Sequence, residues 1–82
     1  MRKLGDRLAV AEIILHELSW GCLHRADLER RVFKRDIGRS SFDGMFAFLV
    51  SDGDIQKAGL ECRAPFRLTE KGQRFLAWRA KT

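Results

Sequence analysis

Apolar residues at Leu8, Ala11, Ile14, Leu15 and Leu18 recur at spacings of three and four, the signature of one helical face turned towards a core. Asp6 stands before this series as the expected N-cap, and Trp20-Gly21 stands after it as the expected stop. Cys22-Leu23 is long enough only for a bridging strand, and Ala26, Leu28, Val32 and Phe33 then predict a short second helix from about Arg25 to Lys34. Arg35-Asp36-Ile37-Gly38-Arg39 reads as a turn in which Gly38 supplies a left-handed backbone and Ile37 plugs the core. In the third helix Ser40 and Asp43 have capping-box spacing, Phe42, Met45, Phe46 and Leu49 form the buried stripe, and Gly53 ends it. The period then changes. Ile55-Gln56-Lys57 and Phe66-Arg67-Leu68 alternate in character, and the Gly59 to Pro65 segment between them is rich in turn formers, as a hairpin requires. Thr69 is the natural N-cap of a last helix with Glu70 in its first turn, an apolar face of Phe75, Leu76 and Trp78, and Gly72 placed for close packing.

The predicted order is helix, short strand, helix, helix, strand, strand, helix, an α+β arrangement. A chain of 82 residues has the length for one core, so residues 1–82 are expected to form a single domain. The longest uninterrupted apolar run, Met45 to Val50, is far too short to cross a bilayer, and Met1-Arg2-Lys3 leads into no signal-like apolar stretch. A soluble, cytoplasmic protein without a membrane partner is the expectation. Two cysteines among many ordinary core residues do not suggest a disulfide scaffold, and reduced thiols are expected.

Two segments carry a family resemblance. Leu49 to Ile55, reading Leu-Val-Ser-Asp-Gly-Asp-Ile, resembles the end of a winged-helix recognition helix entering its wing. Phe66-Arg67-Leu68-Thr69-Glu70-Lys71-Gly72, with Phe75-Leu76 following, resembles the wing-to-last-helix junction of MarR-like, PadR-like and small archaeal winged-helix regulators. Together they cover roughly a third of the chain, and the element order extends the agreement over nearly all of it. The resemblance implies a winged helix-turn-helix: a three-helix core, a two- to three-stranded β wing and a C-terminal helix. It also implies double-stranded DNA as partner, a role in transcription regulation without a cofactor, and a homodimer matched to two-fold half-sites.

Charge is consistent with a polyanionic partner. Sixteen Lys and Arg against eleven Asp and Glu give a formal charge of +5, which favours nucleic acid through counterion release. Arg30, Arg31, Lys34, Arg35 and Arg39 concentrate five positive charges where a helix-turn-helix crosses the phosphates. On the third helix, Arg39, Ser40, Ser41, Asp43, Gly44 and Ala47 are the candidates to face base edges: Arg39 towards guanine, Ser41 as donor or acceptor, Asp43 towards the amino group of cytosine. Ser40 and Asp43 have the alternative of simply capping the helix. Lys57, Arg63 and Arg67 place cations on the wing, towards the flanking minor groove or its phosphates, and Lys71 and Arg74 extend the basic ground.

A rival reading starts from the third helix itself, which carries Asp43, Asp52 and Asp54 between Ser40 and Asp54 and not one Lys or Arg. Phe48 and Val50 lie off its core stripe, and an apolar patch in that position usually has a partner. With Trp78 they form a candidate protein interface, and helix one and the last helix are the expected dimer surfaces. Trp20 and Trp78 read as large anchors, in the core or at a dimer contact. His16, Cys22, His24 and Cys62 offer zinc-binding side chains without the paired short spacing of a structural zinc motif, so no metal is expected and the cysteines read as core residues. No convergent acids, nucleophile beside a base or phosphate-cradling glycine loop points to catalysis, and the protein is expected not to be an enzyme.

Overall fold

The computed structural model describes the backbone of residues 3–61 and 63–81, with side chains from residue 7 onward. In chain order the elements are α1 (Lys3–Leu18), α2 (Arg25–Phe33), α3 (Arg39–Asp52), β1 (Ile55–Lys57), β2 (Phe66–Leu68) and α4 (Glu70–Lys81). The architecture is α+β: four helices and a two-stranded antiparallel sheet. Ile55 pairs with Leu68, Gln56 with Arg67 and Lys57 with Phe66. The bridging strand expected at Cys22-Leu23 reduces to one residue, Leu23, which exchanges backbone hydrogen bonds of 3.0 and 2.7 Å with Phe66.

The core is the meeting place of the predicted stripes. Ile14, Leu15 and Leu18 of α1, Leu28 and Val32 of α2, Phe42, Met45, Phe46 and Leu49 of α3, and Ile55 of β1 are all buried. Full burial of each large apolar side chain stabilises by about 1.5–3 kcal/mol, so this cluster sets the fold. An aromatic chain runs through it from α2 to the sheet: Phe33 meets Phe42 edge-on at 5.8 Å, Phe42 stacks on Phe46 at 5.4 Å, and Phe46 meets Phe66 edge-on at 5.0 Å.

Several local expectations are corrected. α1 begins at Lys3, so Asp6 lies within its first turns and not before them; lysine and leucine upstream are good helix formers and carry the backbone back. Gly38 is not left-handed: it sits at φ −72° as the N-cap of α3, and Asp36, at φ 64°, takes the left-handed step two residues earlier. Asp is among the few non-glycine residues that accept this region. α3 therefore starts at Arg39, and the capping box at Ser40 and Asp43 does not form; the cap is glycine backbone with no side-chain bond. Leu8 is 39 % exposed, Trp78 51 % and Trp20 77 %, so none of the three is a core residue. Trp20 instead follows the end of α1 and meets His16 edge-on at 5.9 Å. Cys22 is an exposed free thiol and not a core cysteine, and Cys62 lies outside the described residues.

The α3 to α4 junction follows the sequence closely. Gly53 closes α3 at φ 86°, with the Asp54 N–H bonded to the Leu49 carbonyl at 2.9 Å, the left-handed ending that glycine accepts without a Cβ penalty. The Thr69 hydroxyl accepts the Gly72 N–H at 3.2 Å and shares its proton between the carbonyls of Gly53 and Asp54, at 2.6 and 2.8 Å. One side chain thus caps α4 and ties it to the end of α3. A Cβ on Gly72 would stand 2.5 Å from the Asp54 carbonyl oxygen and 2.6 Å from Leu68 Cδ1, so the close packing requires glycine. Among the described residues no helix is long and apolar enough to cross a membrane.

Candidate nucleic-acid interface

The basic cluster of the α2–α3 turn is largely engaged within the protein. Glu17 on α1 is only 8 % exposed, and a carboxylate so placed needs positive partners. Arg31 supplies one at 3.4 Å and Arg35 the other at 3.0 Å, on its two oxygens. Both guanidiniums remain about half exposed, and one carboxylate against two of them leaves net positive charge. Arg30 pairs with Asp27 one turn earlier on α2. Arg39 lies over the Phe33 ring at 5.7 Å, a cation–π contact that holds the guanidinium while leaving its edge open. Lys34 is the exposed C-cap residue of α2 and forms no ion pair among the described residues.

Arg25, which the sequence reading left aside, organises the other flank. Its guanidinium reaches Glu29 at 3.1 Å and Asp43 at 2.9 Å and lies over the Phe46 ring at 4.7 Å. Asp43 is therefore not a cap: its Oδ1 is the α3 end of an ion pair with α2. The Arg25 to Glu29 spacing of four was a visible signal for half of this arrangement. The α3 half, eighteen residues away, had none.

On α3 the outward face consists of Ser40, Gly44, Ala47 and Ser51, all exposed, small and uncharged. Ser40 and Ser41 border a recess shared with Arg7 and Val10 of α1, and Ser41 and Arg35 border another with Ala9 and Ile13. Arg67 projects from β2 opposite Gln56 and lines a different recess, with Trp20 and Cys22 beyond the end of α1. The middle of the Ala9–Ile13 stretch and Leu18, where α1 ends, are about 10 Å apart along the helix at a rise of 1.5 Å per residue. The structure thus brings Arg31, Arg35, Ser40 and Ser41 towards α1 on one side and sets Arg67 at the other end. Arg63 lies in the β1–β2 loop, exposed and without an ion pair among the described residues, as is Arg67. Lys57 is exposed at the end of β1. Leu60, at the tip of the same loop, is wholly exposed.

Phe48 and Trp78, 53 % and 51 % exposed, line the same groove between α1, α3 and α4. Val50 does not join them, because two residues along a helix turn a side chain by about 200°, and it emerges on the opposite flank of α3. At the end of α3 two carboxyls interact. Burial, with Asp52 beside it, pushes the Asp54 carboxyl up to about 6, while the hydrogen bond from Asp54 and the nearby Lys71 ammonium hold Asp52 below the usual carboxylate range. Lys71 Nζ donates to the Asp52 carbonyl at 2.7 Å and lies 3.2 Å from its carboxylate. Among the described residues no group of three or more His, Cys, Asp or Glu is placed to hold a metal ion. Comparison with known protein families, curated proteins and solved structures finds no match to this chain.

Proposed function

We propose that this chain is a winged helix-turn-helix domain that binds double-stranded DNA, as a transcription regulator and in homodimeric form, chiefly through phosphate contacts. In this reading α2 and α3 form the helix-turn-helix, β1 and β2 the wing, and Leu23 the remnant of a third strand. One observation carries the proposal: exposed cations stand before and after the body of α3 along the chain, Lys34 and Arg39 at the turn, Arg63 and Arg67 on the hairpin. In a helix-turn-helix, cations at the turn and on the wing bracket the backbone of a duplex, and this reading assigns them that role. The small uncharged face of α3 gives little base readout, so the binding proposed is weakly sequence-selective.

Titration of a labelled mixed-sequence duplex by fluorescence anisotropy tests this. Four neutralised phosphates give a slope of log K against log salt of about −3.6, at roughly −0.9 per phosphate. Charge reversal at Lys34 and Arg67 lowers the slope by about two without unfolding the domain. Absence of binding at about 50 mM salt, where phosphate contacts are strongest, ends the proposal. A second reading, a winged helix that serves as a protein-interaction module, is favoured by the exposure of Phe48 and Trp78 in one groove. Loss of self-association or of partner capture in Phe48→Ser, with no DNA binding by the parent chain, selects it.

A further inference from the structure

We propose that the groove between α1, α3 and α4 is a binding site for an amphipathic organic anion, with a flat apolar body and a carboxylate, sulfonate or phosphate at one end. This does not depend on the chain binding DNA. The groove has a volume of about 660 Å³, within the range of sites that enclose small organic molecules. Its walls are Leu8, Met45, Phe48, Leu49, Phe75 and Trp78, and three of these large side chains, Leu8, Phe48 and Trp78, stay between 39 % and 53 % exposed. Phe75 and Trp78 stand 5.7 Å apart at a 49° tilt, and with Phe48 they offer aromatic faces to a flat ring system.

Charge selects the class of ligand. Five ionisable groups line the groove: Arg7, Asp52, Asp54, Lys71 and Arg74. Three of them satisfy one another, since Lys71 is held by the carbonyl and carboxylate of Asp52, and Asp54 is 5 % exposed beside Asp52. The remaining two are cations. Arg7 has no ion pair among the described residues, and Arg74 meets only Glu70 at 3.4 Å, in a pair whose side chains are 74 % and 81 % exposed. So exposed a pair contributes little and leaves Arg74 available to an anion.

Two probes that share an apolar body and differ in charge test the assignment: anilinonaphthalene sulfonate, an anion, and phenylnaphthylamine, which is neutral. Both are titrated by fluorescence into the intact chain under conditions where it melts cooperatively. The expected result is saturable binding of the anion at one per chain, tighter than the neutral probe, and weakened about tenfold by Arg7→Ala with Arg74→Ala while the neutral probe is unaffected. Phe48→Ser, at an exposed position, is expected to weaken both probes. The proposal is overturned if the anion fails to saturate, if the neutral probe binds as tightly, or if Phe48→Ser leaves both unchanged. It is also overturned if sedimentation shows a dimer that excludes both probes and that Phe48→Ser dissociates, since a second copy would then occupy the groove.

Discussion

The α2–α3 turn and the α3–α4 junction both fix how one helix follows another, and they do so by opposite means. The turn is held by ions: Arg31 and Arg35 on Glu17, and Arg25 on Asp43. The junction is held by uncharged contacts: the Gly72 approach to Asp54 and Leu68, the Thr69 hydroxyl and the Gly53 left-handed ending. Ion pairs with half-exposed partners are screened by salt and tolerate substitution. Backbone in van der Waals contact tolerates neither a methyl group nor a lost cap. The turn held by these pairs also carries Lys34 and Arg39, two of the cations proposed to meet phosphates, so salt that screens the pairs also weakens the proposed contact.

The contrast breaks first at Gly72. Gly72→Ala forces Asp54 and β2 apart and is expected to destabilise by about 2–4 kcal/mol in urea unfolding; a neutral outcome would mean the junction is soft. Next is pH. The folded-state value of Asp54 is raised from 3.8 to about 6, so its contribution is fully present below about pH 4 and is lost as pH rises through 6. Asp54→Asn removes that titration. The stability of wild type minus variant should fall between pH 4 and 6 by on the order of 1–2 kcal/mol, discounted because the groove opens to water on one side. A flat or rising difference would refute the burial of that carboxyl. Thr69→Ala removes the cap and the tie to the Gly53 carbonyl, and about 1 kcal/mol is expected to go with them, at all salt concentrations. The smallest effect belongs to the turn: Glu17→Gln should cost about 0.5–1 kcal/mol at low salt and less at 0.5 M. A loss as large as that of Gly72→Ala, insensitive to salt, would erase the distinction between the two regions.

Legibility in the sequence follows the same division. The junction was readable because each of its parts is local: Gly53, Thr69 and Gly72 announce an ending, a cap and a close approach by residue type alone. β1 and β2 were readable from alternation down to their end residues. The turn was not, because Gly38 and Asp36 are both able to take a left-handed step and tertiary packing decided between them. The site was less legible still. Five cations in ten residues appear as one patch in the sequence, but Glu17 lies fourteen and eighteen residues from the arginines it binds. Asp43 looked like a cap because its partner Arg25 lies on another helix. Phe48 and Val50 looked like a single patch until the turn per residue placed them on opposite flanks.

The bare outward face of α3 has an evolutionary consequence. A Cβ at Gly44 meets nothing within 4 Å, and Ala47 and Ser51 are exposed on the same face, so a methyl group at Gly44 is accommodated without a clash. Replacing the glycine also removes its cost of about 1 kcal/mol in a helix interior. Residue identity on this exposed face is therefore only weakly tied to folding. A lineage can change these positions one at a time at little cost in stability, which leaves the face open to new contacts.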